Sequence, residues 1–343
     1  MQPEEQKERP VLIVGSVALD TIETPFGQVK EVPGGAAYYA AIAASFYTRV
    51  RLVAVVGEDF PSEHLDTLRR RGVDLEGLQV REGRTFRWQG RYQYDMSQAQ
   101  TIGTQLNVFE DFQPEIPPPW ASSEFVFLAN IDPDLQLMVL DQVAGPRLVA
   151  ADTMNFWIEG KRDAVLRVLQ RADMSLLNDA EVRQLSGVPG LASAARKLLG
   201  LGPKIAVIKK GEHGAVMFSR DAHFAAPSYP LEEVRDPTGA GDSFAGALVG
   251  YLASRGEVSE AAVRRAIVHG GTVASFTVED FGAARLLSLT RGEIETRYRE
   301  MRAFSSLEPM EFLALPEDAK NSPDGVLTSG GPDTGPPPMS KPR

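Results

Sequence analysis

The sequence predicts an α/β protein of three layers, with a mainly parallel central sheet covered by helices on both sides and a small β lid. Two observations carry this. Short apolar runs alternate with amphipathic stretches along most of the chain, the pattern of a sheet buried on both faces. One segment departs from it: Phe86, Trp88, Tyr92 and Tyr94 alternate with Arg87, Gln89, Arg91 and Gln93. That period of two belongs to a strand with one aromatic and one polar face, projecting from the main sheet as a lid or subunit contact.

Val11-Leu12-Ile13-Val14 is the first doubly buried strand and leads through Gly15-Ser16 to Asp20. Thr24 to Lys30, with Pro25 and Gly27, reads as a turn or hairpin. Gly34-Gly35 opens an alanine-rich, close-packing helix over Ala36 to Thr48. A strand follows at Arg51 to Val56, then a polar helix to Arg71 stopped by Gly72. Beyond Pro119 the rhythm resumes. Strands at Phe125 to Ala129, Leu148 to Ala151, Met174 to Leu177 and Ile205 to Ile208 alternate with helices from Asp134, over Ile158 to Gln170, and around Glu181. Gly214 to Ser219 and His223 to Ala226 read as antiparallel strands. The last helices are expected from Ser259 to Glu279 and from Arg291 to Phe304. The domain is expected over 10–315, with lid segments near 20–34 and 84–110, and the Pro- and Gly-rich stretch 316–343 as a disordered tail.

Ligands of such sheets bind beyond the carboxyl ends of the strands. Asp152, Asn178 and Lys209 stand there. The stretch that organises them is Asp236-Pro237-Thr238-Gly239-Ala240-Gly241-Asp242. It opens a helix running to Gly256, and its glycines leave backbone N–H groups free to face an anion at a positive helix end. A carboxylate at that mouth repels the anion unless it works as a base. Asp242 beside a phosphate hole therefore points to proton removal from a hydroxyl. The plainer alternative is a carboxylate stabilised by the helix dipole.

Composition narrows the classes. A formal net charge of −10 argues against nucleic-acid and anionic-membrane partners. There is no cysteine, so disulfides and thiolate chemistry are excluded and the cytoplasm is the expected location. The four histidines have no ligand spacing for zinc.

With these segments in place, the chain resembles the ribokinase-like, PfkB-type carbohydrate and nucleoside kinases over about residues 10 to 305. The motifs are Gly34-Gly35, Asn178-Asp179-Ala180-Glu181, Lys209-Lys210-Gly211-Glu212-His213-Gly214, and Asp236 to Asp242, in the family's order. The resemblance implies a ribokinase-like fold and transfer of the ATP γ-phosphoryl group to a hydroxyl of a sugar, nucleoside or cyclitol. It makes Asp242 the base and Gly239, Ala240 and Gly241 the anion hole. Asn178 and Glu181 order magnesium through water, although the same pair could be only a capping box. Lys209, Gly211, Gly214, Thr238 and His269 lie on the nucleotide side, and Asp20, Gly34, Gly35 and Tyr39 on the acceptor side. Asp236 and Thr238 stand where some members of the family hold a monovalent cation, potassium being the candidate ion, and whether this chain holds one is left open by the resemblance. A homodimer through the lid is expected. One departure stands out: ribose-specific members carry Asn where this chain has Tyr39, which favours a larger or flatter acceptor.

Rival readings are weaker. Gly241-Asp242-Ser243 echoes an ester hydrolase block, but no Asp is followed three residues later by His. A P-loop is absent. A nucleotide-binding regulatory protein of the same fold remains the non-enzymatic alternative.

Overall fold

The computed structural model describes residues 8–305. The tail expected at 316–343 lies outside the described residues. The chain runs β1 (Val11–Val14), β2 (Ala18–Thr24), β3 (Gly27–Gly34), α1 (Ala36–Ser45), β4 (Val50–Gly57), α2 (Ser62–Arg70), β5 (Val73–Asp74), β6 (Leu78–Arg81), β7 (Phe86–Tyr92), β8 (Ala99–Gln105), β9 (Phe125–Leu128) and α3 (Pro133–Gln142). It continues with β10 (Leu148–Ala151), α4 (Asn155–Gly160), α5 (Arg162–Arg171), β11 (Met174–Asn178), α6 (Asp179–Ser186), α7 (Leu191–Leu199), β12 (Ile205–Lys209), β13 (Ala215–Ser219) and β14 (His223–Ala226). The last elements are α8 (Ala240–Arg255), α9 (Glu260–Thr277), α10 (Ala284–Ser288) and α11 (Arg291–Phe304).

The main sheet has ten strands in the order β14-β13-β12-β11-β10-β9-β1-β4-β5, with β6 also paired to β4. All pairs from β12 to β5 are parallel, and β13 and β14 are antiparallel. Side chains alternate between two buried faces, as the pleat requires. Val11 and Ile13 join the core under α1, α8 and α9, while Leu12 and Val14 join the core on the opposite face with Val139 and Leu140 of α3. Ile158, Val165 and Leu185, from α4, α5 and α6, pack on the β11 and β12 end of that second face. The result is a three-layer α/β/α arrangement. Among the described residues no helix is long and apolar enough to cross a membrane.

The seam between α1 and α8 fixes the site. It is made of alanines on α1 facing Gly246 and Gly250 on α8. A Cβ at Gly246 would lie 2.6 Å from Ala40 Cα, and one at Gly250 2.9 Å from Ala44 Cα. The two backbones touch, and their N-termini are held side by side.

A second sheet, β3-β2-β7-β8, has four strands. Here the structure refines the reading of the lid strand at Tyr94 and Arg87. β7 pairs with β2 without a break from Phe86 to Arg91, and the one register shift against β8, between Gln89↔Gly103 and Gly90↔Thr101, leaves the extra residue, Ile102, on β8. Tyr94 falls beyond β7 and is 94% exposed. Arg87, on the polar side of the strand, is mostly buried by two carboxylates. Its guanidinium sits 2.8 Å from both Glu31 Oε1 and Asp59 Oδ2, and only 16% of the side chain is exposed. The helix expected over Ile158 to Gln170 is also divided. Lys161 takes φ −138°, between α4 and α5, and its ammonium bonds Asp132 and Asp134 at 2.7 Å each.

Candidate active site

Gly239 takes φ 75°, ψ 0°, the left-handed cap that turns the chain into α8. A side chain there is excluded twice, by that φ and by the Tyr39 ring, whose Cε1 would lie 2.5 Å from a Cβ. The Ala240 N–H donates to Pro237 O at 3.1 Å and the Ser243 N–H to Gly239 O at 2.8 Å. Among the described residues the Gly239 and Gly241 N–H groups have no backbone acceptor outside the helix. Asp242 is half-buried in the first turn. Burial first, then the Asp152 carboxylate, pushes its pKa up to about 6, with Lys209 opposing.

The N-terminus of α1 comes from the other end of the chain. Gly35, at φ 91°, would bring a Cβ to 2.6 Å of Ser16 O. Ser16 Oγ accepts from the Ala36 N–H at 3.0 Å. Asp20 Oδ2 accepts from the Gly35 N–H at 3.3 Å, and a Cβ on Gly34 would collide with that carboxylate. Asp20 is buried, so its pKa is pushed up to about 7 by desolvation, with Asp236 and Asp242 adding and the Gly35 N–H opposing.

Asp236 locks the motif to the far end of α9. Its Oδ1 accepts from the Thr238 N–H at 2.9 Å and its Oδ2 from the Gly282 N–H at 2.8 Å. Burial is the largest cause of its raised pKa. The Thr238 hydroxyl donates to the Tyr92 hydroxyl at 3.3 Å, so β7 of the second sheet reaches across to the motif. Tyr39 stands beneath, 1% exposed, its hydroxyl without a hydrogen-bond partner among the described residues. Burial, then Asp20 and Asp236, hold that phenol well above its ordinary pKa, and it stays neutral.

The strand ends supply the rest. Asn178 and Glu181 form a capping box on α6: Asn178 Oδ1 accepts from the Glu181 N–H at 2.8 Å, and Glu181 Oε2 from the Asn178 N–H at 2.7 Å. Burial first, then Asp152, raises the Glu181 pKa to about 7. Lys209, ending β12, donates to Asp152 Oδ2, ending β10, at 2.7 Å. Its Nζ lies 3.3 Å from where a Gly241 Cβ would stand. Gly211, at φ 55°, is an exposed loop tip, and Gly214, at φ 78°, lets the chain pass Ala226 and Pro227 into β13.

His269 is not brought to this edge. Its ring stacks between Tyr251 and Tyr298, with centroids 4.3 and 4.2 Å away, and its Nδ1 meets the Tyr47 hydroxyl at 3.2 Å. Both ring faces are occupied, so it cannot stack on a base. Burial lowers its pKa to about 4. The contact made by Tyr92 and the pairing of Asp152 with Lys209 were not legible as such in the sequence. The only available signals were an aromatic residue on the lid strand and polar residues at neighbouring strand ends.

Among the described residues no group of three or more His, Asp, Glu or Cys side chains could hold a metal. Asn178 and the inward-facing Glu181 carboxylate still suit magnesium, which keeps most of its waters and takes few protein ligands beside phosphate oxygens.

The fold is a three-layer α/β/α arrangement with Asp152, Asn178 and Lys209 gathered at the carboxyl edge of its sheet. The chain belongs to the pfkB family of carbohydrate kinases, whose pattern it matches over residues 11–289. It is 32% identical over 262 residues to a cytidine kinase of Thermococcus kodakarensis, covering 74% of this chain and 92% of that one. The fold is that of the Methanocaldococcus jannaschii nucleoside kinase, an archaeal member of the ribokinase family (TM-score 0.68, 20% identity, covering 85% of this chain and 98% of that one). It is equally that of the Salmonella enterica aminoimidazole riboside kinase, solved with aminoimidazole riboside and an ATP analogue (TM-score 0.67, 20% identity, covering 84% and 99%). The protein is therefore a kinase that transfers a phosphoryl group to an alcohol of a sugar or nucleoside.

Proposed function

We propose that the protein phosphorylates a hydroxyl of a nucleoside-sized acceptor with ATP, using Asp242 as base and the Gly239–Gly241 backbone as anion hole. The observation that carries this is a half-buried carboxylate in the first turn of α8, directly after two glycines and within electrostatic reach of Asp20. Phosphoryl transfer asks mainly for positioning and charge stabilisation. The acceptor oxygen bonds to the γ-phosphorus as the bond to the β–γ bridging oxygen breaks. The electron pair leaves with ADP, and the hydroxyl proton passes to Asp242. A base whose pKa lies near 6 is ionised at neutral pH yet basic enough to take that proton.

Asp20 and the Gly34-Gly35 turn hold the acceptor, and Lys209, Gly211, Gly214 and Thr238 border the nucleotide. Magnesium, held through Asn178 and Glu181, would supply charge neutralisation of the phosphates. Asp236, bonded to the Gly282 loop, is the residue for a monovalent cation. Two facts support a nucleoside over ribose. Tyr92, from β7, sets an aromatic side chain against Thr238 of the motif, whereas Tyr39 is core, and the relative 32% identical over most of its length is a cytidine kinase. Exposed Phe26 and Ile102 on the second sheet support a homodimer contact there, which sedimentation will test.

The test is Asp242→Asn. ATP binding is expected to stay within a few-fold while turnover falls about 10²–10⁴-fold. Near-normal turnover in that variant would falsify the assignment. A coupled ADP-release screen over cytidine, other nucleosides, ribose and inositol then fixes the acceptor.

A further inference from the structure

Lys209 is out of place as a structural residue. Its side chain is 16% exposed and its partner Asp152 only 4%. A buried ion pair is weak evidence for stability, since the desolvation cost of both charges offsets their attraction. The ammonium carries three N–H donors. Among the described residues its only hydrogen bond is to Asp152 Oδ2, so two donors are unspent. Its position is specific: 3.3 Å from the Cβ point of Gly241, on the flank of the α8 N-terminus. Asp152, Glu181 and Asp242 all face it. Burial pulls its pKa down, but those carboxylates outweigh burial and keep it charged.

We infer that Lys209 completes the anion hole by contacting the transferred phosphoryl group, and that Asp152 is its positioning residue, holding the ammonium against Gly241. This rests on the reading of Asp242 and the α8 N-terminus given above. The backbone N–H groups offer only partial charges, and the Ala240 N–H is already spent on Pro237 O. A full positive charge beside them stabilises the equatorial oxygens as charge spreads over them. Lys209 keeps its protons throughout, because the hydroxyl proton goes to Asp242 and the electron pair leaves with ADP. Asp152 touches no reacting atom. Without it the ammonium is free to swing out toward solvent.

The experiment compares the full-length wild type, Lys209→Met, Asp152→Asn and the double variant. The readouts are kcat, KM for ATP, and calorimetric binding of Mg-ADP with and without aluminium fluoride, a planar mimic of the phosphoryl group. The double variant removes both charges together, so it folds without an uncompensated buried ion and carries the test if a single variant does not fold. Lys209→Met is expected to lose about 10²-fold in kcat, with ADP affinity within threefold and the gain from aluminium fluoride abolished. Asp152→Asn is expected to lose about tenfold, with partial rescue by Asp152→Glu. The double variant is expected to be no worse than Lys209→Met, because Asp152 acts only through Lys209. A Lys209→Met or double variant with wild-type kcat and an intact aluminium fluoride gain overturns the inference, and so do multiplying losses in the double variant. Asp242→Asn separates the two claims. If it turns over normally, the underlying reading fails. If it is inactive yet keeps the aluminium fluoride gain, only Lys209 and Asp152 stand on trial.

Discussion

The two sheets of this molecule are built to different rules. Strands β1, β9 and β10 are buried along their whole length, and on the face with α1 and α8 those two helices touch through alanine and glycine. In the second sheet β8 is exposed at nearly every position, and the sheet is tied down by discrete polar contacts. Arg87 clamps Glu31 and Asp59, Arg91 pairs with Glu23, and Tyr92 accepts from Thr238. The first sheet fixes positions by close packing, which has no soft direction. The second fixes them by a few separable contacts. In the proposed mechanism the chemistry sits on the first sheet and the selection of the acceptor under the second.

Glycine substitutions break or sharpen this contrast most strongly. Gly246→Ala normally favours a helix by about 1 kcal/mol, but here the added Cβ meets the Ala40 backbone. The expected outcome is a destabilisation of about 2 kcal/mol in denaturant unfolding, with a parallel loss of kcat. Gly103→Ala, on β8, meets nothing nearer than Gln89 Oε1 at 3.9 Å and is expected to be neutral within about 0.5 kcal/mol. Equal effects from the two would erase the distinction.

Next comes pH. In the proposed mechanism Asp242 acts as a base only when ionised, and burial pushes its pKa up to about 6. Acceptor kcat/KM is therefore expected to fall about tenfold per unit below pH 6 and to level off above it. The sign for stability is opposite. A carboxyl raised above its unfolded value binds protons more tightly when folded, so stability declines as pH rises from about 4 toward 6. Asp242→Asn should consequently leave the unfolding midpoint at pH 8 unchanged or raised. A lowered midpoint in that variant counts against the electrostatic account.

The second sheet gives smaller, more selective effects. Arg87→Met removes a clamp between β7, Glu31 and Asp59 and is expected to raise acceptor KM about five- to tenfold with kcat nearly retained. Tyr92→Phe removes one neutral hydrogen bond and is expected to cost about two- to fivefold in kcat/KM for the acceptor, with KM for ATP unchanged. A kcat defect in either variant would place catalysis, rather than selection, under the lid.

The sequence made the first sheet readable for a physical reason. Doubly buried strands are contiguous apolar runs, and Gly239, Gly241 and Asp242 are local in sequence as well as in space. The second sheet depends on long-range partners. Arg87 looks solvated until Asp59, 28 residues away, is placed beside it. Gly90 leaves room for the Trp88 ring, and the bulge opposite it, at Ile102 of β8, carries no motif of its own. Helices α4 and α5 read as one because the break at Lys161 coincides with its pairing to Asp132 and Asp134 at the N-terminus of α3, far away in sequence. Likewise, Asp152 and Lys209 are legible as edge residues, but their 2.7 Å pairing is not. The short strands β5 and β6 and the helix α7 have too little pattern to announce themselves.

The glycine–alanine seam between α1 and α8 has a consequence for how acceptors are measured. It welds the turn that holds Asp20 to the turn that holds Asp242, so the span between them behaves as a fixed caliper. In the proposed mechanism an acceptor brings a hydroxyl to one jaw while resting on the other, and the close-packed seam holds the backbones under both jaws in place. Evolution of a new acceptor on this frame is thereby channelled into the roof: exchanges on β2, β7 and β8 can reshape what fits above the caliper without moving its jaws.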